Sequence, residues 1–216
     1  MPFGAIRALR LLHHQFSRYP AGPRAHILVR FLTCPFLRTL EEVPAGGRLL
    51  DIGAGHGTFA RLAAEERARE VIALEPDLRK VFLPFRHPRV RFAAGFADAV
   101  RGGFDAVSLF DVAYRIPLAE RDALYRRAFE LLAPGGVLLL KELDPAARVK
   151  FGWARVQEIL SDRLLGITLG EGFHYETRAE VAARLEGIGF RDVRAERIDR
   201  FYPHSHVLYT ARKPPG

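Results

Sequence analysis

A glycine-rich turn after a short strand constrains this chain more than any other segment. Residues 48–52 are typical of a buried strand, and glycines follow at positions 53, 55 and 57. Glycines placed after a strand let backbone N–H groups and the start of the next helix approach a ligand closely. The segment therefore predicts a parallel strand, a ligand-binding loop and a helix, in that order.

An acid stands where such a fold places the residue that binds a ribose. The second predicted strand, residues 70–75, ends in Glu75, 18 residues beyond Gly57. In a doubly wound sheet this carboxylate accepts hydrogen bonds from ribose hydroxyls. The combination predicts one nucleoside-binding half of an α/β fold. The alternative is a glycine turn that serves only close packing of strand and helix.

The spacing of the glycines separates two classes of nucleoside site. Dinucleotide sites carry G-x-G-x-x-G, in which the pyrophosphate rests on the helix end. Here the pattern is G-x-G-x-G, and Thr58 takes the place of the third dinucleotide glycine. This spacing disfavours a nicotinamide oxidoreductase.

Residues 51–57, D-I-G-A-G-H-G, resemble the first motif of the class I S-adenosylmethionine-dependent methyltransferases, D-x-G-x-G-x-G. The resemblance implies S-adenosylmethionine as cofactor, with the loop against its methionine part and Glu75 on its ribose. It also implies that Phe96 covers the adenine and Asp98 contacts its amino group, although the family's Gly-Asp pair is interrupted here. The implied cofactor-binding set is Asp51, Gly53, Ala54, Gly55, Gly57, Glu75, Pro76, Phe96, Asp98 and Asp111.

Further segments extend the resemblance over roughly residues 47–213. They are F-D-A-V at 104–107, L-A-P-G-G at 132–136 and G-I-G-F at 187–190. The implied fold is an α/β, doubly wound, mostly parallel seven-stranded sheet of the Rossmann-like methyltransferase type. Its strands are predicted at 48–52, 70–75, 90–94, 104–110, 137–141, 193–198 and 206–211. Three other segments, at 31–36, 141–144 and 202–208, resemble a bacterial subgroup of small-molecule enzymes, which implies a lipid or polyketide-like precursor as acceptor.

Two regions lie outside this pattern of alternating strands and helices. Residues 1–46 form a predicted helical extension to the cofactor domain, residues 47–216. The extension is interpreted either as a lid or weak membrane-surface helix, or as a helix packed on the sheet, with Pro35 bending or dividing its second helix. Residues 145–176 are predicted to form a substrate cap whose helix carries Phe151 and Trp153.

Methyl transfer from a sulfonium is an in-line displacement that needs positioning and, for some nucleophiles, removal of a proton. It requires no metal. His174 is the first candidate for a general base and His206 the second, and for each the alternative is a hydrogen-bonded structural role. Glu142 and Asp144 either bind substrate or pair with arginines of the N-terminal helices. The predicted substrate-binding set is Tyr114, Glu142, Asp144 and Trp153.

The net charge of +8 suggests nucleic acid as a partner. The excess is concentrated in residues 1–40, which hold six arginines and no acid, so the remainder carries only +2. Residues 111–114 also lack the prolines typical of enzymes that methylate base amines. We therefore expect a small-molecule acceptor, with an RNA methyltransferase or a non-catalytic nucleoside-binding scaffold as alternatives. A single cysteine and the absence of a long apolar run favour a cytoplasmic protein; its oligomeric state stays open.

Overall fold

The computed structural model describes residues 4–81, 87–147, 150–152 and 174–216. Within these residues, seven strands form one sheet. They are β1 (Arg48–Ile52), β2 (Glu70–Glu75), β3 (Val90–Ala94), β4 (Phe104–Phe110), β5 (Leu132–Leu143), β6 (Arg191–Arg197) and β7 (His206–Arg212). Their order across the sheet is β3-β2-β1-β4-β5-β7-β6.

Helices cover both faces of this sheet. They are α1 (Ala5–Gln15), α2 (Ala21–Thr33), α3 (Phe36–Leu40), α4 (Thr58–Glu66), α5 (Leu78–Val81), α6 (Leu118–Leu131) and α7 (Arg178–Ile188). Two 3₁₀ turns, Ala97–Ala99 and Ala113–Arg115, follow β3 and β4. Helix α7, which precedes β6, has a capping box at its N-terminus. The Thr177 side chain accepts the Glu180 N–H, and the Glu180 side chain accepts the Thr177 N–H.

The predicted topology is confirmed. Strands β1 to β5 pair in parallel, and β7 lies antiparallel between β5 and β6. The fifth strand is longer than the predicted 137–141, because Leu132 already pairs with Phe104 and Leu143 still pairs with His206. Its centre is apolar and buried, as expected for a strand covered on both faces.

The N-terminal helices pack into the core. Ala8 and Leu12 of α1, and Phe16 directly after it, are fully buried in one cluster with residues of β1 and α4. Pro35 divides the second predicted helix, since α2 ends at Thr33 and α3 begins at Phe36. Of the six arginines in residues 1–40, Arg7, Arg10 and Arg18 are exposed, whereas Arg24, Arg30 and Arg38 are half-buried.

Most of the predicted cap, residues 145–176, lies outside the described residues, and Trp153 lies there with it. No helix in the described parts of the chain is long and apolar enough to cross a membrane.

Candidate functional site

A cavity of about 900 Å³ opens at the carboxyl ends of β1, β2, β4 and β5. This is the edge where an open parallel sheet binds ligands, beside the point at which the strand order reverses between β1 and β4. Eleven of the predicted site residues line the cavity. They are Asp51, Gly53, Ala54, Gly55, Glu75, Pro76, Phe96, Asp98, Asp111, Tyr114 and His206.

The cavity has two ends, which we name by their residues. The cofactor end consists of the glycine loop at 53–57, Glu75 and Phe96. The α2 end consists of Arg30, Thr33, Phe36, Leu143 and His206, where α2 covers the ends of β5 and β7.

The three glycines of the loop have separate reasons for lacking a side chain. All have positive φ, at 72°, 58° and 75°. A Cβ on Gly53 would lie 2.4 Å from Val112 Cγ2, and one on Gly57 would lie 2.2 Å from Phe92 Cζ. A Cβ on Gly55 would meet nothing within 4 Å. Gly53 and Gly57 therefore permit packing, whereas Gly55 leaves open space on the cavity side.

Glu75 ties the end of β2 to this loop. Its carboxylate accepts the Gly55 N–H at 2.7 Å and the Asp77 N–H at 3.0 Å. Lys80 Nζ lies 3.6 Å from the same group. A carboxylate has about four lone-pair sites, so these contacts leave acceptor capacity on Glu75 at the cavity wall.

Asp51 is a buried carboxylate at the floor of the cofactor end. Ser108 donates a hydrogen bond to its Oδ1 at 2.7 Å. Its Oδ2 has no hydrogen-bond partner among the described residues. Burial raises the pKa of Asp51 to about 7. A buried oxygen of this kind is stabilised by a ligand that brings a positive charge or a donor.

Phe96 and Asp98 form the outer rim of the cofactor end. The Phe96 ring is 70% exposed, which is unusual for a phenylalanine and leaves its face open to a ligand. The Asp98 side chain is 91% exposed and lies 3.4 Å from Arg127 Nε. Its assignment to an adenine amino group stays a prediction, and its described partner is an arginine.

Asp111 joins the two ends of the cavity. Lys141 Nζ donates to both of its carboxylate oxygens at 2.6 Å, and Arg30 Nη2 donates to Oδ2 at 2.7 Å. Burial alone would raise the pKa of Asp111, but the charges of Lys141 and Arg30 hold it well below its usual range. The residue has φ 57°, and its N–H donates to the Lys141 carbonyl at 2.8 Å. Asp111 is thus ionised and fixed by a buried cation.

His206 lies beside this cluster at the α2 end. Its Nε2 is 3.3 Å from the Thr33 carbonyl, so Nε2 carries the proton and Nδ1 is an acceptor. Nδ1 has no partner among the described residues. Burial, with the charge of Lys141, lowers the pKa of His206 to about 3. The ring is therefore neutral at physiological pH, and its role as a base stays a prediction.

Glu142 and Asp144 lie outside the described cavity lining. Glu142 accepts the Ala113 N–H at 2.9 Å, and burial raises its pKa to about 8. Asp144 accepts the Ala146 N–H and lies 3.5 Å from Arg178 Nε of α7. In the described contacts neither acid pairs with an N-terminal arginine, which was one of the two alternatives, and the other, substrate binding, stays a prediction. Of the N-terminal arginines, Arg30 pairs with Asp111.

His174 is placed by its backbone and not by its ring. Its N–H donates to the Tyr114 carbonyl at 2.7 Å, and its own carbonyl accepts from Arg121. The residue is absent from the described cavity lining, whereas Tyr114 belongs to it and stacks on Tyr175 at 5.6 Å between ring centroids. The geometry brings His206, and not His174, to the cavity.

The polar residues of α2 that line the cavity were not predicted from the sequence. His26 lies 6.0 Å from His56 of the glycine loop, measured between ring centroids, and Arg30 and Thr33 follow on the same helical face. His26, Arg30 and Thr33 are four and three positions apart, a spacing that places their side chains on one face of a helix. Which face it was, and that it covers the cavity, came only from the packing of α1 and α2.

Comparisons with known proteins agree with this architecture. A family model described as methyltransferase domain matches residues 24–195. No curated protein matches the chain.

Among solved structures, the human N-acetylserotonin methyltransferase in complex with S-adenosylmethionine has 16% identity and a TM-score of 0.66, over 98% of this chain and 57% of that chain. An S-adenosylmethionine-dependent methyltransferase from Mesorhizobium loti has 17% identity and a TM-score of 0.62, over 83% and 98%. The cyclopropane synthase MmaA2 from Mycobacterium tuberculosis has 16% identity and a TM-score of 0.63, over 82% of each chain. At such identities the likeness concerns the fold alone.

Proposed function

Because this chain belongs to the methyltransferase-domain family, we propose that it transfers the methyl group of S-adenosylmethionine to a small-molecule acceptor. The observation that carries the proposal is the cofactor end of the cavity. There the side-chain-free face of Gly55 adjoins the Glu75 carboxylate and the buried Asp51 oxygen.

The residues of this end suit the chemical groups of that cofactor. Glu75 has acceptor capacity for ribose hydroxyls, and Asp51 Oδ2 suits an ammonium group. The exposed face of Phe96 suits a nucleobase. Bound S-adenosylmethionine supplies a methyl carbon on a positively charged sulfur, which leaves as the neutral thioether S-adenosylhomocysteine.

The chain's own part in the reaction is to position the acceptor. The α2 end places apolar groups, Phe36 and Leu143, next to the neutral ring of His206. With a pKa of about 3, His206 is a weak base. We assign it the acceptance of a hydrogen bond from the nucleophile, whose proton passes to water unless the nucleophile is already ionised.

A calorimetric titration tests the cofactor half of the proposal. We expect the full chain to bind S-adenosylmethionine and S-adenosylhomocysteine at micromolar concentrations and NADH far more weakly. Glu75→Ala should weaken this binding about tenfold or more, since it removes a charged hydrogen-bond acceptor. Glu70→Ala, at the other end of the same strand and paired with Arg48, is the matched control. Equal affinity for NADH would defeat the proposal, as would an unchanged affinity in Glu75→Ala.

A second measurement tests the acceptor class. We expect transfer of a labelled methyl group from S-adenosylmethionine into the small-molecule fraction of a bacterial extract and not into its RNA. Label confined to RNA would favour the nucleic-acid alternative. Binding of the cofactor without any transfer would favour a non-catalytic scaffold.

A further inference from the structure

The outward face of α2 is apolar. The exposed residues of this helix are Ala21, Gly22, Ala25, Val29 and Leu32, and none of them has a polar side chain. Val29 is 58% exposed and Leu32 is 61% exposed. A helix on the surface of a protein ordinarily turns polar side chains toward the solvent. The polar side chains of α2 are all half-buried instead, so its outward face has the composition of a contact surface.

An exposed phenylalanine extends this face beyond the end of α2. Phe201 is 85% exposed and lies in the loop between β6 and β7. This loop meets the C-terminal end of α2, because His206, which directly follows the loop, has its Nε2 3.3 Å from the Thr33 carbonyl. We call Val29, Leu32 and Phe201 together the apolar surface.

Exposed arginines flank the apolar surface at both ends of α2. Arg18 lies in the turn before α2, and Arg200 precedes Phe201, with its guanidinium carbon 5.2 Å from the centre of that ring. In the part of the chain that the structure describes, neither arginine pairs with an acid. The acid next to Arg200, Asp199, already forms ion pairs with two other cations. Positive charge therefore accompanies the apolar side chains.

The charge of this region favours an anionic partner over a second copy of the chain. Residues 1–40 contain six arginines and no acid. Three of the six pair with acids beyond residue 40, and the other three pair with none of the acids that the structure describes; these three are Arg10, Arg18 and Arg24. Two copies that met here would bring like charges together. Three apolar side chains also offer far less area than the ~800 Å² per partner that a stable protein–protein interface buries.

A lipid bilayer fits both features of this surface. Anionic headgroups attract arginines, and apolar side chains insert at the boundary between headgroups and acyl chains. We propose that the apolar surface, with Arg18 and Arg200, docks reversibly on an anionic membrane. Val29 also lines the cavity, so this docking turns the α2 end of the cavity toward the bilayer. Docking of this kind does not depend on the proposed methyl transfer.

Co-sedimentation of the full chain with vesicles tests the proposal. One set of vesicles consists of phosphatidylcholine alone, and the other contains about 30% phosphatidylglycerol. We expect the partition coefficient to be about tenfold higher on the anionic vesicles at about 0.1 M NaCl, and to fall at least about threefold at about 0.5 M NaCl. Equal partition onto the two sets, or no binding to the anionic set, would overturn the proposal.

Variants of the apolar surface assign the contact to it. Leu32→Asn should lower partition onto anionic vesicles about threefold, and Leu32→Asn combined with Phe201→Ser about tenfold, although neither changes the net charge. Leu118→Asn is the matched control, since Leu118 is 44% exposed on α6, which packs on the opposite face of the sheet from α2. The control should stay within about twofold of wild type. Unchanged partition in the double variant, or an equal loss in the control, would rule out this surface.

A charge reversal separates local from overall attraction. Arg200→Glu should lower partition onto anionic vesicles about fivefold, because it places a negative charge at the docked face. Arg126→Glu is the control, since Arg126 is exposed on α6 and the substitution makes the same change of net charge. Equal losses in the two variants would mean that the vesicles attract the chain as a whole, and docking at this surface would be refuted.

Two further measurements exclude other causes of these losses. Every altered side chain is exposed, so the midpoint of urea unfolding should match that of wild type in each variant. Sedimentation velocity without lipid should give the same species for wild type and Leu32→Asn; a wild-type dimer that Leu32→Asn dissociates would replace the membrane with a second copy. If wild type docks but does not bind S-adenosylhomocysteine, only the proposed function fails. If it binds the nucleoside but does not dock, only this inference fails.

Discussion

The two ends of the cavity are built by different means. At the cofactor end, the ligand-facing groups come mainly from the short loop at 53–57 and from the acid that ends the next strand. At the α2 end, they come from residues far apart in the chain: Arg30 and Asp111 are 81 residues apart, and Thr33 and His206 are 173 apart. One end relies on backbone geometry and the other on buried charge.

This difference implies that the two ends can be altered separately. The three glycines of this loop tolerate few substitutions, because a Cβ at Gly53 or Gly57 meets a neighbour and one at Gly55 enters the ligand space. A cluster of charged side chains changes with each single substitution, and so does the ligand that it favours. We therefore expect loop variants to change cofactor affinity and cluster variants to change stability and acceptor preference.

The largest expected effect is on stability and belongs to the α2 end. Lys141→Met leaves the buried Asp111 carboxylate without its closest cation, so the free energy of unfolding should fall by about 3–5 kcal/mol. Lys150→Met is the control, because its pair with Asp199 is partly exposed and should contribute less than about 1 kcal/mol. Urea unfolding measures both. Equal losses of unfolding free energy in the two variants would mean that the buried pair of Lys141 and Asp111 contributes no more to stability than the partly exposed pair of Lys150 and Asp199.

The second effect belongs to the cofactor end. Gly55→Val should weaken S-adenosylmethionine binding about 10- to 100-fold, since the new side chain enters the space next to Glu75. Gly135→Val is the control, because Gly135 also has positive φ and an unobstructed Cβ position but lies outside the described cavity lining. Both variants should lose about 1–2 kcal/mol of stability to backbone strain. Unchanged binding in Gly55→Val, measured by calorimetry, would remove the loop from the site.

The third effect is a pH dependence of stability at Glu142. Its pKa in the folded protein, about 8, is above that of the unfolded chain. Between pH 5 and 8 the folded state therefore binds more protons, and stability falls as pH rises, by about 1.4 kcal/mol per pH unit. Glu142→Gln keeps an acceptor for the Ala113 N–H and should reduce this slope. The free energy of unfolding is measured by urea titration at pH 5.5 and at pH 7.5. An equal change between the two pH values in wild type and in Glu142→Gln would contradict the burial of an ionisable group at this position.

The smallest effects separate the two rim residues of the cofactor end. Phe96→Ala should weaken S-adenosylhomocysteine binding about fivefold, at the low end of base stacking because the ring is largely exposed. Asp98→Ala should change it less than about threefold, since an exposed ion pair contributes little. Calorimetry under one set of conditions ranks the two. The reverse ranking would restore Asp98 as the residue that recognises the base.

The comparison also explains which predictions from sequence succeeded. Asp51, Gly55 and Glu75 were predictable because strand, turn, helix and strand follow each other within residues 48–75, and parallel strands bring their carboxyl ends to one edge. Glu142 was predicted either to bind substrate or to pair with an N-terminal arginine, and it lies outside the described cavity lining. Successive side chains in a strand alternate between faces, so Lys141 and Leu143 face the cavity region while Glu142 lies behind it. The pattern of an apolar strand that ends K-E-L-D does not reveal which of the two faces is the site.

The amino-acid sequence alone determined the sheet, the glycine loop and the acid at the end of β2. These depend on hydrophobic periodicity and on conformations that only glycine adopts readily, which are local properties. The tertiary structure alone decided that α2 covers the cavity, that Arg30 meets Asp111 and Lys141, and that His206 is neutral. Such contacts depend on how distant segments pack, and burial rather than residue type sets the charge of the groups that they bring together.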